Sequence, residues 1–395
     1  MLGVGNNYFL QVQFGQQTIP ITPSMIREFT IVQDLNKFLP ELRMRLADST
    51  GAFTHLIPFD RNMSEVTVML GTTGGNAIQQ QYIFDIYRRY PTSEGILSGE
   101  YDAIGLMHLP GLYSPKYSRS FNQNVSDTID AIGAELNVEA TNISSSLDYT
   151  KSLIQPLWTD AQFLQYLCEN LKTPDGHSNF RCWFSAEDSI NTTLNFMSYD
   201  ELLQSSVQWQ YAWGDQDYEN VEAIQTYEII DNYKYLQVLG TQQQSSTYFN
   251  YATGQWVTNI APLSKVPSLT PFYLVDSNDP VVDQIYLDTG RSNSFTSNFS
   301  GKVNSIYETR IHSLTKLWIV GQGNFALRPG DIVQVEAPSD PNNTFQYQYS
   351  GFWMVERIVL SFGDTLHMKL LLTRDGITTS SSTTLVPASN TVQGS

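Results

Sequence analysis

The sequence predicts a β-rich α+β protein of several domains, and three observations lead to this fold class. Short runs of alternating apolar and polar residues recur along most of the chain, at the length of strands. Charged residues make up only 15% of the 395 residues, and Gln, Asn, Ser, Thr and Tyr take their place, which favours strands and polar loops. A central region has helical periodicity instead, so the chain is not purely β.

Residues 1–108 are predicted to form a first small β-barrel. Strand-length apolar runs such as FLQVQFG, EFTIVQDL and SEVTVMLG follow one another through this region. Turn residues, among them Gly15, Pro20 and Pro23, separate the runs at the spacing of a small sandwich or barrel.

Residues 109–206 are predicted to form a mixed α/β middle domain. DTIDAIGAELN, from Asp127, is a candidate helix, and TDAQFLQYLCENLK is the clearest helical stretch of the chain. Thr159 and Asp160 suit its N-cap and first turn. Its apolar residues recur at steps of three and four, namely Phe163, Leu164, Leu167 and Leu171. FRCWFSAEDSINTTLNFMSYDELL then predicts a strand, a turn, a strand and a short helix.

The rest of the chain is predicted to form a second, similar β-barrel and a flexible tail. The barrel takes residues 207–240 and 304–376, with runs such as TKLWIVGQ and TLHMKLLLTRDG. Part of 241–303 is a candidate addition to the middle domain. Residues 377–395 are rich in Ser and Thr with few apolar anchors, so we expect them to be flexible.

A structural motif of the second barrel surrounds a turn at Pro329 and Gly330. The turn precedes a strand that is expected to place Ile332, Val333 and Val335 in a core. The next two strands are expected to direct alternate residues inward, first Trp353 and Val355, then Leu366, Met368, Leu370 and Leu372. The motif residues are Leu327, Pro329, Gly330, Asp331, Val333, Gly351, Trp353 and Val355.

Charge and hydropathy argue against nucleic-acid binding, a membrane-spanning helix and export. Lys and Arg total 22 against 39 Asp and Glu, so the net charge of −17 opposes an electrostatic grip on nucleic acid. No run of 18 or more apolar residues is present, which argues against a membrane-spanning helix. The first residues, MLGVGNNYFLQVQFG, lack the pattern of a secretory signal peptide, so no export is expected.

Residues that usually carry catalysis are not arranged in a recognisable pattern, so we expect no enzyme activity, no cofactor and no metal site. The histidines are scattered in sequence: His55, His108, His177, His312 and His367. Cys168 and Cys182 lie in apolar surroundings and are expected to be buried thiols. GTTGGNA and GQGN lack the features of a phosphate-binding loop and are interpreted as turns. A glycosidase pair among Asp215, Asp217 and Glu219 stays open, but a solvated acidic loop is favoured.

Several segments resemble one known family. LRPGDIVQV, SGFWMVERIVLSFG and TLHMKLLLTRDG resemble the closing barrel of phage tail hub proteins and of the related type VI secretion spikes. DLNKFLPELRMRLADSTG with SEVTVMLG is similar to the opening barrel of that family, and LIQPLWTDAQFLQYLCENL with FRCWF is similar to its middle domain. The resemblance covers nearly the whole chain in the family's order. No long β-helical repeat follows the last barrel, so any spike is expected to be a separate chain.

The resemblance implies a structural baseplate hub of a contractile phage tail. It implies a homotrimer in which three pairs of similar barrels form a ring of approximate six-fold symmetry. The implied partners are a trimeric spike, the tail tube or a tube-initiator protein, and baseplate wedge proteins, while DNA passes through the lumen without specific binding. The implied location is the virion baseplate, after synthesis in the cytoplasm of a bacterial host.

Three other classes stay open on sequence alone. A polysaccharide-degrading tail enzyme would need a carboxylate pair in one cleft and would turn over host glycans. A receptor-binding or lectin-like tail module would fit the abundance of Trp and Tyr and would bind cells or sugars by itself. A spike or hub protein of a secretion or injection system would be distinguished by genomic neighbours that encode no capsid.

Overall fold

A computed structural model gives the fold of most of the chain. The described residues are 8–14, 17–48, 65–72, 80–93, 99–175, 177–187, 191–213, 221–231, 244–250, 254–260, 284–288, 305, 309, 312–313, 315–322, 325–336 and 349–375. The predicted tail at 377–395, the acidic stretch 215–219 and His55 lie outside them.

Seven strands lie among the described residues of the N-terminal region. They are β1 (Tyr8–Phe14), β2 (Gln17–Pro20), β3 (Ile26–Asp34), β4 (Glu41–Ala47), β5 (Glu65–Thr72), β6 (Gln80–Ser93) and β7 (Gly99–Met107). A short 3-10 turn, Pro23–Met25, precedes β3. The strands pair antiparallel in the order β3, β4, β7, β6, β5, β1, β2.

The middle region mixes strands and helices. Its elements are β8 (Tyr117–Asn124), α1 (Val125–Glu135), β9 (Ala140–Ile143), β10 (Thr150–Trp158), α2 (Asp160–Asn170), β11 (Phe180–Glu187), β12 (Asn191–Ser198) and α3 (Tyr199–Leu203), with a 3-10 turn at Ser145–Leu147. Strands β8 and β10 form a two-stranded sheet, and β11, β12 and β9 form a three-stranded sheet.

The described residues of the C-terminal region contain ten further strands. They are β13 (Val207–Trp213), β14 (Val221–Ile224), β15 (Thr226–Asp231), β16 (Gln244–Asn250), β17 (Gln255–Ile260), β18 (Gln284–Asp288), β19 (Thr315–Gln322), β20 (Ile332–Glu336), β21 (Gly351–Phe362) and β22 (Leu366–Arg374). Strands β16 to β18 form a separate three-stranded sheet. The described chain is therefore mostly β with few helices, as the sequence predicts, and none of those helices has the length and hydropathy needed to span a membrane.

One sheet, with 14 described strands, connects the N-terminal and C-terminal regions. Its C-terminal part contains β13, β14, β15, β19, β20, β21 and β22, and β21 pairs antiparallel with β3 of the N-terminal part. Among the described strands, this pairing is the link between the two parts. The register places Arg357 opposite Asp34 and Leu360 opposite Ile31.

Alternation of apolar and polar residues sets the faces of the strands. On β4, Leu42, Met44 and Leu46 are buried, while Arg43 and Arg45 between them are exposed. A period of two places alternate side chains on opposite faces, so one face of this strand enters the core and the other meets solvent.

The helices form close to where their periodicity predicts. Helix α2 begins after Thr159, whose side chain accepts a hydrogen bond from Gln162 N at 3.2 Å, while Gln162 Oε1 accepts one from Thr159 N at 3.1 Å. This reciprocal capping box confirms the predicted N-cap. Helix α1 begins at Val125, two residues before the predicted start at Asp127. The predicted strand, turn, strand and short helix correspond to β11, β12 and α3.

Within the part of the chain that the structure describes, the buried apolar residues form two clusters. The main core includes residues from all three regions, for example Leu42, Phe163 and Trp353. A smaller core contains Leu35, Trp183, Tyr199, Leu202, Leu203, Ile332 and Met354.

The structure corrects the expected burial of two residues, one on β20 and one on β22. The expectation that Ile332 shares a core with Val333 and Val335 is wrong, because Ile332 points to the opposite face of β20 and packs in the smaller core. Leu366 is only partly buried at the start of β22, whereas Met368 and the later predicted residues of that strand are fully buried.

Candidate functional site

The turn at Pro329 and Gly330 is closed by the residues on either side of it. The Asp331 carboxylate accepts a hydrogen bond from Arg328 N at 2.7 Å, and Asp331 N donates to the Arg328 carbonyl at 3.2 Å. Gly330 has φ of 92°, in the left-handed region that glycine adopts without a steric penalty. The Pro-Gly-Asp sequence therefore supplies both the backbone freedom and the acceptor that this turn requires.

The same turn is fastened to β21. Gly330 N donates to the Val355 carbonyl at 2.8 Å, and Val355 N donates to the Asp331 carbonyl at 2.9 Å. Immediately after the turn, Val333 on β20 pairs with Trp353 on β21. The structure thus brings together residues from both ends of the predicted motif.

Trp353 is the centre of the motif's packing. Its ring is fully buried, and Nε1 donates to the Tyr349 carbonyl at 2.9 Å. The Arg374 guanidinium lies 4.0 Å from the ring centroid, a cation–π contact, and burial lowers the pKa of Arg374 to about 9. Leu327 is buried in the same core, and Gly351, with φ of 122°, begins the strand that carries Trp353.

The turn also contacts the middle region. A Cβ on Gly330 would lie 3.0 Å from Leu202 Cδ2 on α3 and 3.6 Å from Trp183 Cη2 on β11. Because even one methyl group would crowd Leu202, the turn and the middle region are in close contact. The motif therefore positions the C-terminal sheet against α3 as well as closing its own strands.

Burial raises the pKa of Asp331 to about 6, above the ordinary 3.8 of an aspartate. The hydrogen bond from Arg328 N and the nearby Arg328 charge act in the opposite direction and do not cancel the loss of solvation. Asp331 is therefore a capping residue whose ionisation opposes folding.

Charged pairs at the β3–β21 junction are residues that the sequence analysis missed. Arg357 pairs with Asp34, whose side chain is only 2% exposed. Beside it, Lys316 Nζ lies 2.7 Å from Glu356 Oε2, and the Glu356 carbonyl accepts a hydrogen bond from Leu35 N at 2.9 Å. The sequence contains one sign of these pairs, because charged residues interrupt the apolar runs TIVQDL and WMVERIVL. Charged side chains are rarely fully buried in proteins unless they are paired with an opposite charge.

An arginine network in the middle region supports an exposed apolar bulge. Arg119 bonds Gln155 Oε1 at 2.9 Å and also pairs with Glu135 and with the buried Asp160. Gln155 Nε2 donates to the Trp158 carbonyl at 2.9 Å, across a bulge in the β8–β10 register. Within that bulge Leu157 has φ of 53° and is 64% exposed. The network therefore holds an apolar side chain out into solvent.

The two cysteines are buried and free, as the sequence predicts. Burial raises the pKa of the Cys182 thiol, and its hydrogen bond with Cys168 adds to the shift. Since the thiolate is the nucleophilic form, this environment suppresses the reactivity of Cys182.

The histidines have different surroundings. His312 is fully buried, which lowers its pKa to about 3. His177 Nδ1 lies 2.9 Å from Asp200 Oδ2. His108 lies against carboxylates from two other strands, an arrangement that its position in the sequence did not indicate.

Searches of solved structures find the fold of this chain in phage tail proteins. A tail protein from Neisseria meningitidis MC58 matches with a TM-score of 0.59 and 12% identity, covering 95% of this chain and 99% of that protein. The 43 kDa tail protein of prophage MuSo2 from Shewanella oneidensis matches with a TM-score of 0.60 and 9% identity, covering 94% and 99%.

A secretion protein has a related fold. An Escherichia coli component of the type VI secretion system, described as structurally similar to the T4 bacteriophage tail proteins gp27 and gp5, matches with a TM-score of 0.51 and 11% identity. That match covers 92% of this chain and 76% of the secretion protein. No protein-family model and no curated protein sequence matches the chain. The resemblance to phage tail hub proteins and type VI spikes is thus confirmed at the level of the fold.

Proposed function

We propose that this chain is the structural hub of a contractile phage tail baseplate. The observation that carries the proposal is the extent of the fold match, which takes in 94% or more of this chain and 99% of two phage tail proteins. A match over whole chains is more informative than one shared barrel, because single barrels occur in proteins of many functions.

The proposal divides the chain as the sequence predicts. Residues 1–108 form one barrel and residues 207–240 with 304–376 form the second, with 109–206 as the mixed middle domain and 377–395 as a flexible tail. Strand pairing supports this division, because the N-terminal strands pair among themselves and meet the C-terminal strands through β3 and β21. Part of 241–303 belongs with the middle domain in this proposal.

Three such chains would form a ring that adapts one symmetry to another. Two similar barrels per chain give six barrels per trimer, which suits contact with a hexameric tail tube, while the three middle domains suit a trimeric spike. Among the described residues, β2, β14 and β15 each pair with a single strand of the large sheet, and strand edges of this kind can pair with strands of another subunit.

Exposed apolar side chains supply further candidate contact surface. Tyr113, Ile154, Leu157 and Trp256 are each more than half exposed. Aromatic and aliphatic groups of this kind are enriched in the cores of protein interfaces. The proposed partners are a second and third copy of the chain, a separate spike protein, the tail tube or a tube-initiator protein, and baseplate wedge proteins.

The proposed role is structural and not enzymatic, with its place in the virion tail. A trimer would carry three times the formal charge of −17, which would repel DNA and let it pass through the lumen without specific binding. The two cysteines, which were the nearest nucleophile candidates, are buried in surroundings that suppress thiolate formation.

A second candidate is the hub of a phage-derived secretion or injection system. The match to the type VI secretion protein favours it, since that protein is itself described as similar to phage tail proteins. The phage assignment predicts genomic neighbours that encode a capsid, and the secretion assignment predicts neighbours without one.

The test is the mass and shape of the purified full chain. Light scattering is expected to give three times the 44.6 kDa of one chain, and electron microscopy of the same sample is expected to show a ring with a central hole. A monomer at every concentration, with binding to host cells or isolated glycans, would contradict the hub and favour a receptor-binding module.

A further inference from the structure

Three side chains from neighbouring strands converge on the outer face of the N-terminal sheet. Glu65 begins β5, Asp85 lies on β6, and His108 follows β7 directly. Glu65 and Asp85 are opposite each other in the β5–β6 register. His108 N donates to the Ile83 carbonyl at 2.7 Å, which continues the β6–β7 pairing and places the imidazole diagonally across from Asp85. The fold, and not sequence spacing, makes this cluster.

The donor atoms are close enough to share one cation. His108 Nδ1 lies 2.9 Å from Asp85 Oδ2 and 3.8 Å from Glu65 Oε1, and one donor atom from each residue lies within 4.8 Å of the other two. Tetrahedral Zn²⁺ with bonds of about 2.0–2.1 Å holds its ligands roughly 3.3–3.5 Å apart. Small rotations of these partly exposed side chains would bring the three atoms to that spacing.

Electrostatics favours a cation at this position. Like charges directly opposite each other on paired strands destabilise a sheet, and Glu65 and Asp85 are such a pair. Both carboxylates lie within 3.8 Å of the same imidazole nitrogen, so they share His108 as a partner. A divalent cation between them would convert a repulsive pair into two attractive contacts and leave the imidazole as a neutral ligand.

We propose that Glu65, Asp85 and His108 form a binding site for a divalent transition-metal cation, with Zn²⁺ as its representative. The ligands are His108 Nδ1 and one oxygen of each carboxylate, with water completing the coordination. The nitrogen donor distinguishes this site from Mg²⁺ and Ca²⁺ sites, which are built from oxygen ligands. The bound cation would tie β5, β6 and β7 together on the face that points away from the core.

Calorimetric titration of the chelator-treated full chain with Zn²⁺, and separately with Mg²⁺, tests the proposal. We expect one Zn²⁺ per chain and much weaker Mg²⁺ binding. The variants His108→Ala and Asp85→Asn are expected to weaken Zn²⁺ binding by about tenfold or more. At the same Zn²⁺ concentration, Zn²⁺ should also raise the melting temperature of the wild-type chain more than that of either variant.

His367→Ala is the control, because His367 is exposed and bonds Thr365, outside the cluster. Its Zn²⁺ affinity is expected to equal that of the wild-type chain. The proposal is overturned if the wild-type chain binds no Zn²⁺, or if His108→Ala and Asp85→Asn bind it as tightly as His367→Ala does. Should His108→Ala fail to fold, the nearly isosteric Asp85→Asn decides the question.

Discussion

Asp34 and Arg357, 323 residues apart in sequence, form an ion pair across the strands that join the two ends of the chain. Arg357 Nε and Nη2 lie 2.7 and 2.6 Å from Asp34 Oδ2. The two residues are also register partners in the β3–β21 pairing. The pair therefore stabilises the contact that makes one sheet from two distant segments.

Arg357→Ala is expected to destabilise the fold by about 2 kcal/mol, because it leaves the nearly buried Asp34 carboxylate without its charged partner. Urea unfolding measures the loss. Arg27→Ala is the control, since both side chains of the Arg27–Glu100 pair are exposed and such pairs contribute about 1 kcal/mol or less. Equal losses in the two variants would contradict the assigned role of the junction pair.

Gly330→Ala is expected to lower the free energy of unfolding by about 1–2 kcal/mol or more. The substitution adds a Cβ that lies 3.0 Å from Leu202 Cδ2, and it forces φ of 92° on a residue that disfavours it. Gly363→Ala, in the hairpin between β21 and β22, has no atom within 4 Å of the added Cβ and serves as the control. Thermal unfolding of both variants checks the difference, and a fully stable Gly330→Ala would show that the turn has room to move.

The stability contribution of Asp331 is expected to depend on pH. Its folded-state pKa of about 6 lies above its ordinary value of 3.8, so the folded chain holds this proton more tightly. Protonated Asp331 therefore makes its full contribution to the free energy of unfolding below about pH 4. This contribution is lost as the pH rises through about 6.

Asp331→Asn removes this titration and keeps an acceptor oxygen for Arg328 N. The free energy of unfolding of this variant, measured relative to that of the wild-type chain, should therefore rise by on the order of 2 kcal/mol from pH 4 to pH 7. Urea unfolding at both pH values measures this change, with Asp364→Asn at an exposed position as the control. A constant difference across the pH range would mean that Asp331 ionises in the folded chain as it does when unfolded.

Both thiols are expected to react slowly with Ellman's reagent in the folded chain. Cys168 and Cys182 are each 6% exposed, and burial raises the pKa of Cys182. Unfolding in urea should release two reactive thiols per chain and speed the reaction on the order of tenfold or more. Rapid labelling of the native protein would show that this part of the middle region opens readily.

Local features were predictable from the sequence because they depend on residues close together in the chain. Alternation on β4, the periodicity of α2 behind Thr159, and the Pro-Gly-Asp turn each follow from a few neighbouring side chains. Helix α1 begins two residues before the predicted start, and its N-cap residue Asn124 bonds the side chains of Asp148 and Thr150 instead of capping the helix.

By itself the sequence determined that this is a β-rich chain with a helical middle region, few charges and a composition typical of strands. Only the tertiary structure decided which strands pair, which core receives Ile332, and which carboxylates meet His108. The physical reason is that periodicity determines the two faces of each strand. The partner of each face depends on packing between segments that lie tens to hundreds of residues apart.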